Sequence, residues 1–219
     1  MARPKVQEQQ RAHLAAAARR AIVTHGLAHV RIRDVAEAAG MSPGTVTYYY
    51  RQLDELFQQI YEDAVDRFHR QRAQAMQRQA DPAGKLLAAI DAGLPEGQDD
   101  ELCCLLYEFS PQARRRPGEA ALRRGLFDQQ AQLYADLLAA GADQGAFALA
   151  LPAAEAARNL VALEDAYAYH IIAGTSVTRG QARDYLVGYA SYATGTDLKR
   201  RTPSPRRADE IAGCVADHG

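Results

Sequence analysis

Residues 31 to 56, RIRDVAEAAGMSPGTVTYYYRQLDEL, gather hydroxyls and aromatic rings where a solvated helix ordinarily carries Glu, Lys and Gln. Thr45, Thr47, Tyr48 and Tyr49 follow directly on Ser42, Pro43 and Gly44. Hydroxyls and a short apolar ring suit the edges of base pairs: they meet thymine methyls and base donors or acceptors in the major groove. On this reading Pro43, Thr45 and Thr47 lie nearest the bases, and Ser42, Tyr48 and Tyr49 fix register on backbone phosphates.

Such contacts need a rigid platform, and the neighbouring residues supply one. The pattern predicts a helix over 32–39, a turn, and a second helix over 43–49. Val35 and Ala36 form the inner face of the first helix, and the small Ala36 lets the second cross closely. Gly40 falls where the chain must turn through a left-handed conformation that a side chain would penalise. Ser42 is placed to cap the second helix, and Pro43 suits its first position, whose N–H has no partner within the helix. Val46 and Tyr50, four apart, give that helix a buried stripe. Together these make a helix-turn-helix. The competing reading, a plain helical hairpin packed in a core, leaves the outward hydroxyls unexplained.

From His13 to about Leu56 the chain resembles the N-terminal domain of the TetR family of transcriptional regulators. The resemblance rests on an apolar first helix ending at Thr24-His25-Gly26, then Ile32-Arg33-Asp34-Val35-Ala36, Ala38-Ala39-Gly40-Met41-Ser42, Gly44-Thr45 and Tyr48-Tyr49-Tyr50. It implies that Arg33 reaches a base or a phosphate. Three positions depart from the family pattern. Val30 and Arg31 stand where a Thr or Ser usually opens the second helix, so either a cap is missing or Arg31 meets phosphate. Thr47 replaces a frequent tyrosine, and Leu53 replaces a lysine that commonly grips phosphate.

Charge follows the same division. Residues 1–51 hold eight Lys or Arg against three acids, although the whole chain has a net charge of −1. A basic head on an acidic body suits a protein whose head meets phosphate. No apolar run is long enough to cross a bilayer and the N-terminus lacks a signal-peptide stretch, so a cytoplasmic location without membrane association is expected. Three cysteines, two of them adjacent, do not make a disulfide framework.

The rest of the pattern predicts an all-α chain: a DNA-binding domain over 1–53, a larger helical ligand-binding and dimerisation domain over 54–195, and a disordered tail over 196–219. A loose arm is expected over 1–10 and a first helix over 10–25. A long helix over 54–80 enters the body. Further helices are expected at 85–92, 101–115 (interrupted at Pro111), 118–140, 152–173 and 179–194. The last two, with LVALEDAYAYHIIAG and ARDYLVGYASYATG, are poor in charge, as helices buried on several sides must be. In proteins of this resemblance the final helices pair with their copies. The expectation is a homodimer that sets two recognition helices on a palindromic operator.

One polar cluster stands out in the body. Glu164 and Asp165 interrupt an apolar helix beside Tyr169, with Tyr107 and Glu108 on a second helix and Tyr134 on a third. Carboxylates in apolar surroundings need a cation or donor, and tyrosine faces attract cations. This chemistry suits a cationic amine of choline or polyamine type as a small-molecule inducer, and the body loosely resembles the choline-responsive branch of the family. Adjacent helical residues point about a hundred degrees apart, so the pair cannot line one pocket squarely. One of them then pairs with an arginine such as Arg158 or bonds across the dimer. A neutral hydrophobic or aromatic metabolite remains the alternative ligand, and a ligand-free architectural DNA-binding protein the alternative function. Cys103-Cys104 lacks the partners a zinc site needs, so neither a metal nor a cofactor is expected. No phosphate loop, nucleophile elbow or metal-ligating His spacing suggests an enzyme.

Overall fold

The computed structural model describes residues 2–109 and 117–200. Among these residues the chain forms nine α-helices and no strand: α1 (Ala2–His25), α2 (Ile32–Ala39), α3 (Pro43–Tyr49), α4 (Leu53–Gln77), α5 (Pro82–Gly93), α6 (Glu101–Glu108), α7 (Pro117–Asp143), α8 (Ala153–Ile172) and α9 (Arg179–Thr194). The expectation at Pro111 and most of the expected tail lie outside the described residues.

The head closes around an apolar core. Leu14, Ala18 and Ile22 of α1 meet Val35 and Ala36 of α2, Val46 of α3 and Leu56 and Ile60 of α4, all buried. Burying a side chain such as Val46, which is fully enclosed, contributes roughly 1.5–3 kcal/mol. The turn between α2 and α3 takes the expected form. Gly40 has φ +64° and closes α2, and the Met41 N–H donates to the Ala36 carbonyl at 2.9 Å. At the start of α2, Arg31 gives no side-chain cap. Instead its backbone N–H donates to the Asp34 carboxylate at 2.7 Å, so the missing Ser or Thr is replaced by the other half of a capping box.

Several boundaries differ from expectation, among them that of α6, which ends at Glu108 rather than continuing to 115. Helix α1 begins at Ala2, taking in the residues expected to be a loose arm. Lys5, Glu8 and the glutamines there are good helix formers, and Pro4 falls in the first turn, where its missing N–H costs nothing. The two cores also divide within α4. Its first half, with α6 residues Leu102, Leu105 and Leu106, completes the head core. Thr196 and Leu198, expected to be loose, pack back instead: Thr196 Oγ1 donates to the Ala146 carbonyl at 3.0 Å and Leu198 is buried.

The body core is made by α5, α7, α8 and α9. Leu86 and Ile90, Tyr134 and Leu138, Ala157 and Leu160, and Leu186 and Ala190 supply its fully buried members. Asp91 ties α5 to α9 by accepting from Arg183 Nε at 2.6 Å. Asp81, Asp100 and Thr178 cap α5, α6 and α9 with their side chains. The α4, α6, α7 and α8 helices surround a space that the core does not fill.

Candidate functional site: an exposed helix and a body cavity

Helix α3 turns Val46 inward, with Tyr50 at its C-cap, packs the half-buried Tyr49 against the head core, and leaves Pro43, Gly44, Thr47 and Tyr48 outside. Ser42 Oγ accepts from the Thr45 N–H at 3.1 Å, which fixes the first turn. Pro43, Gly44 and Thr47 are exposed, Thr45 is half-buried, and Tyr48 is 73% exposed. The Tyr48 and Tyr49 rings meet edge to face with centroids 5.1 Å apart. Arg33 on α2 is also exposed, 3.5 Å from Asp34. Thr47 carries a detail that the sequence did not show. Its hydroxyl donates to the Pro43 carbonyl at 3.0 Å, so its one hydroxyl hydrogen is already engaged within the helix. Behind the helix, the Tyr50 hydroxyl donates to Gln59 on α4 at 2.9 Å and Arg11 lies over its ring. The outer face of α3 is therefore polar, uncovered and anchored from behind.

The body cavity measures about 290 Å³. Helix α4 contributes Phe68 and Arg72, and α6 contributes Cys103, Leu106 and Tyr107. Helix α7 adds Arg123, Arg124, Leu126, Phe127 and Gln130, and α8 adds Val161, Glu164, Asp165 and Ala168. Its polar floor is a buried network. Arg72 Nη2 donates to Glu164 Oε1 at 2.5 Å and Nη1 donates to Gln130 Oε1 at 2.7 Å. The Tyr134 hydroxyl also donates to Glu164 Oε1, and the Arg72 guanidinium lies 4.4 Å from the centre of the Tyr134 ring. Gly93 at the end of α5 leaves room for the pair, because a Cβ there would stand 2.5 Å from Glu164 Oε1.

Burial governs the ionisation of this floor. It pushes the Glu164 carboxyl above its usual range, while Arg72 beside it pulls the other way. For Arg72, burial works against the charge as the largest single influence, but Glu164 and Tyr134 together outweigh it and hold the guanidinium protonated. The Tyr134 phenol is raised by burial and remains a donor. Arg72 Nε is buried without an acceptor, a state that costs about 1–3 kcal/mol for a polar group left unpaired.

The six residues expected to hold a ligand separate in space. Tyr107, Glu164 and Asp165 line the cavity, and Tyr134 supports it by holding Glu164. Glu164 and Asp165 both border the space, but on different parts of it, the buried Glu164 at the floor and the part-exposed Asp165 at the rim, so the pair does not line it squarely. Asp165 stands 3.9 Å from Arg123 with both side chains part-exposed, and its backbone carbonyl accepts from the Tyr107 hydroxyl at 2.8 Å. Burial raises the Asp165 carboxyl, with Arg123 opposing. Arg158 joins neither carboxylate; it pairs with Asp128 at 3.4 Å. Two residues lie outside the cavity wall. Glu108 accepts from the Leu27 N–H at 2.9 Å, because the far side of α6 packs on the head. Tyr169 is 59% exposed and its ring meets His170.

Sequence reasoning missed Arg72, Gln130, Phe68, Phe127, Arg123 and Arg124. A signal existed for Arg72. Ile60, Ala64 and Phe68 recur every fourth residue on α4, and the next place in that stripe is Arg72. A guanidinium at an apolar position requires a buried acid, and Glu164 stands between Leu160 and Ala168 in the corresponding stripe of α8. Among the described residues, no group of His, Cys, Asp and Glu could hold a metal ion. Cys103 is kept a thiol by burial, reinforced by Asp100.

A capped, outward recognition helix on a three-helix head, joined to a larger helical body, defines a helix-turn-helix regulator. Residues 14–60 match the family model for bacterial regulatory proteins of the tetR family, and residues 82–190 match that for the C-terminal region of BetI-type transcriptional repressors. The chain belongs to the TetR family of transcriptional regulators, whose members are not enzymes. It is 26% identical over 172 residues to the HTH-type transcriptional regulator YfiR of Bacillus subtilis, covering 74% of this chain and 82% of that one. The fold matches a TetR regulator from Haloarcula marismortui with a TM-score of 0.76 at 23% identity, over 85% of this chain and 98% of that one. It also matches a transcriptional regulator from Saccharomonospora viridis, solved in complex with choline, with a TM-score of 0.78 at 21% identity, over 84% and 97% of the two chains. Among the described residues no helix is long and apolar enough to cross a membrane.

Proposed function

We propose that this regulator is a cytoplasmic homodimeric repressor that occupies a palindromic operator and is released when a small molecule fills the body cavity. The observation that carries the DNA-binding part is the outer face of α3, uncovered and held from behind by Val46 and Tyr50. Pro43, Thr45 and Thr47 read base edges; Arg33, Ser42, Gly44, Tyr48 and Tyr49 hold the backbone. Support for dimerisation comes from α8 and α9. Tyr169, Tyr185 and Tyr192 are exposed large rings beside exposed alanines such as Ala162 and Ala166. A second copy would cover that face, and a two-fold pair sets its recognition helices about one DNA turn or a small multiple apart.

Selection from a random duplex library tests both parts together. An inverted repeat bound by a species of twice the chain mass is the expected result. A single half-site bound by a monomer at micromolar concentration rejects the dimer, and no enrichment of any sequence rejects the operator.

Release follows from linkage: a ligand that prefers a head spacing unsuited to the operator lowers DNA affinity by its differential binding energy. A cationic amine is one reading of that ligand. It is favoured by the choline of the Saccharomonospora viridis regulator, by the BetI-type match and by the aromatic rings of Phe68, Tyr107 and Phe127. Against it, each carboxylate on the cavity wall already faces an arginine. A ligand-free architectural role would leave the cavity without purpose.

A further inference from the structure

We infer that the body cavity takes an apolar carboxylic acid, its carboxylate turned to the arginines and its hydrocarbon to the opposite wall. The inference rests on the cavity being the effector site. Three guanidiniums, Arg72, Arg123 and Arg124, face the space against two carboxylates, Glu164 and Asp165. Both acids are engaged. Glu164 Oε1 accepts from Arg72 and from Tyr134, and Asp165 stands opposite Arg123. A cation entering this space finds a net positive wall and no carboxylate without a guanidinium.

Among the described residues, the buried side-chain nitrogens and oxygens without a hydrogen bond are Gln10 Oε1, Arg72 Nε and Arg179 Nε. The residue of these that belongs to the cavity wall is Arg72, and its atom is a donor. Arg72 Nε is sealed from the cavity itself, so the donors within a ligand's reach are those of the rim arginines, Arg123 and Arg124. Arg binds carboxylates through paired N–H groups, and the planar fork is more weakly hydrated than an ammonium. Phe68, Leu106, Leu126, Phe127 and Val161 supply the apolar surface that a purely polar anion would not use. The neutral floor formed by Arg72 and Glu164 also tolerates a hydrocarbon tail better than an unpaired charge would.

Calorimetric titration of the full-length protein with octanoate, 1-octanol, choline and spermidine distinguishes the possibilities, with operator affinity measured beside each. Octanoate should bind about ten-fold more tightly than octanol, the margin a charge-assisted hydrogen bond supplies, and should weaken operator binding. In the double variant Arg123→Gln, Arg124→Gln that margin should fall below about three-fold, while octanol affinity holds. Arg123 is part-exposed and Arg124 exposed at the rim, so this variant keeps the buried floor. Equal binding of octanol and octanoate overturns the acid in favour of a neutral ligand. Tighter choline or spermidine overturns it in favour of a cation. Either result leaves the cavity a sensor. Heat from none of the four, with operator affinity unchanged throughout, rejects the acid and the effector site together.

Discussion

The head and the body of this molecule distribute polarity in opposite ways. The head keeps its interior free of charge, from Leu14 and Ile22 to Val46 and Ile60 with the buried rings of Tyr50 and Tyr61, and turns Arg33, Thr47 and Tyr48 to solvent. The body buries Arg72, Gln130, Tyr134 and Glu164 completely or nearly so, with exposures of 0, 3, 0 and 4%. A surface that reads a large, charged, hydrated partner needs a stiff support and polar groups that water can solvate while the partner is absent. A cavity that discriminates among small molecules needs polar groups already stripped of water and aimed, with their desolvation offset by one another. On the proposed function, the two regions meet different recognition problems with the same helical material.

The contrast is broken most severely at the body floor. Replacing Glu164 by Leu leaves the Arg72 charge buried without its partner, and the loss of stability should be about 3–5 kcal/mol, read as the shift in urea midpoint at constant slope. Arg72→Met with Glu164→Leu should recover most of that loss, since an apolar pair of similar volume removes both charges. Conversely, the loss from the single variant should leave the intrinsic operator contacts untouched once the protein is folded. If Glu164→Leu costs less than about 1 kcal/mol, the pair is not the organising element of the body. The carboxyl of Glu164 is raised by burial, so at acid pH this group takes up a proton sooner than the same residue in the unfolded chain. Since the folded chain then binds that proton more readily than the unfolded one, this group favours folding as the pH falls and costs stability as the pH rises through its raised value, read as the urea midpoint against pH.

An intermediate effect is expected on α3, where the structure sharpens which atom of Thr47 matters. With its hydroxyl hydrogen engaged by the Pro43 carbonyl, the methyl becomes the group expected to matter at the bases. Thr47→Ser, which keeps the hydroxyl and removes the methyl, should therefore relax preference at particular operator positions as much as Thr47→Ala does, by about 1–3 kcal/mol of discrimination. Tyr49→Phe should instead weaken binding to all sequences alike and reduce its salt dependence little, because a phenol contact to phosphate displaces no counterion. Binding measured over a panel of operator variants separates the two. Full specificity in Thr47→Ser would return the reading to the hydroxyl.

The same contrast explains which parts of the molecule could be read from its sequence. Gly40, Ser42, Pro43 and Val46 act on neighbours within four residues, so their spacing carries the geometry, and the head emerged with its helix limits as expected at 32–39 and 43–49. The body floor joins residues 92 and 58 positions apart, Arg72 with Glu164 and with Gln130. No local spacing encodes such a pairing. Glu164 and Tyr107 attracted notice because they interrupt apolar helices, but the same logic misplaced Glu108 and Tyr169, which interrupt apolar helices on faces turned away from the cavity. Composition marked the cluster as polar and buried; only the fold shows that its charges are matched.

Glu108 gives the smallest effect and the closest link between the two regions. Tyr107, on the cavity wall, donates to the Asp165 carbonyl of α8. The next residue, Glu108, accepts from the Leu27 N–H directly after Gly26, whose φ of +75° ends α1. Consecutive residues of one short helix therefore touch the ligand space and the root of the head. A ligand that displaces Tyr107 must move Glu108 with it, since both belong to the last turn of α6. Glu108→Ala should leave operator affinity of the free protein within about two-fold and reduce the coupling between ligand and operator by about 1 kcal/mol, the usual worth of such a bond. Glu108→Gln keeps an acceptor for Leu27 and should retain most of the coupling. The readout is the ratio of operator Kd with and without saturating effector. A ratio that survives in Glu108→Ala would assign transmission to α4 alone, which runs from the head core through Ile60 to Arg72 at the cavity floor.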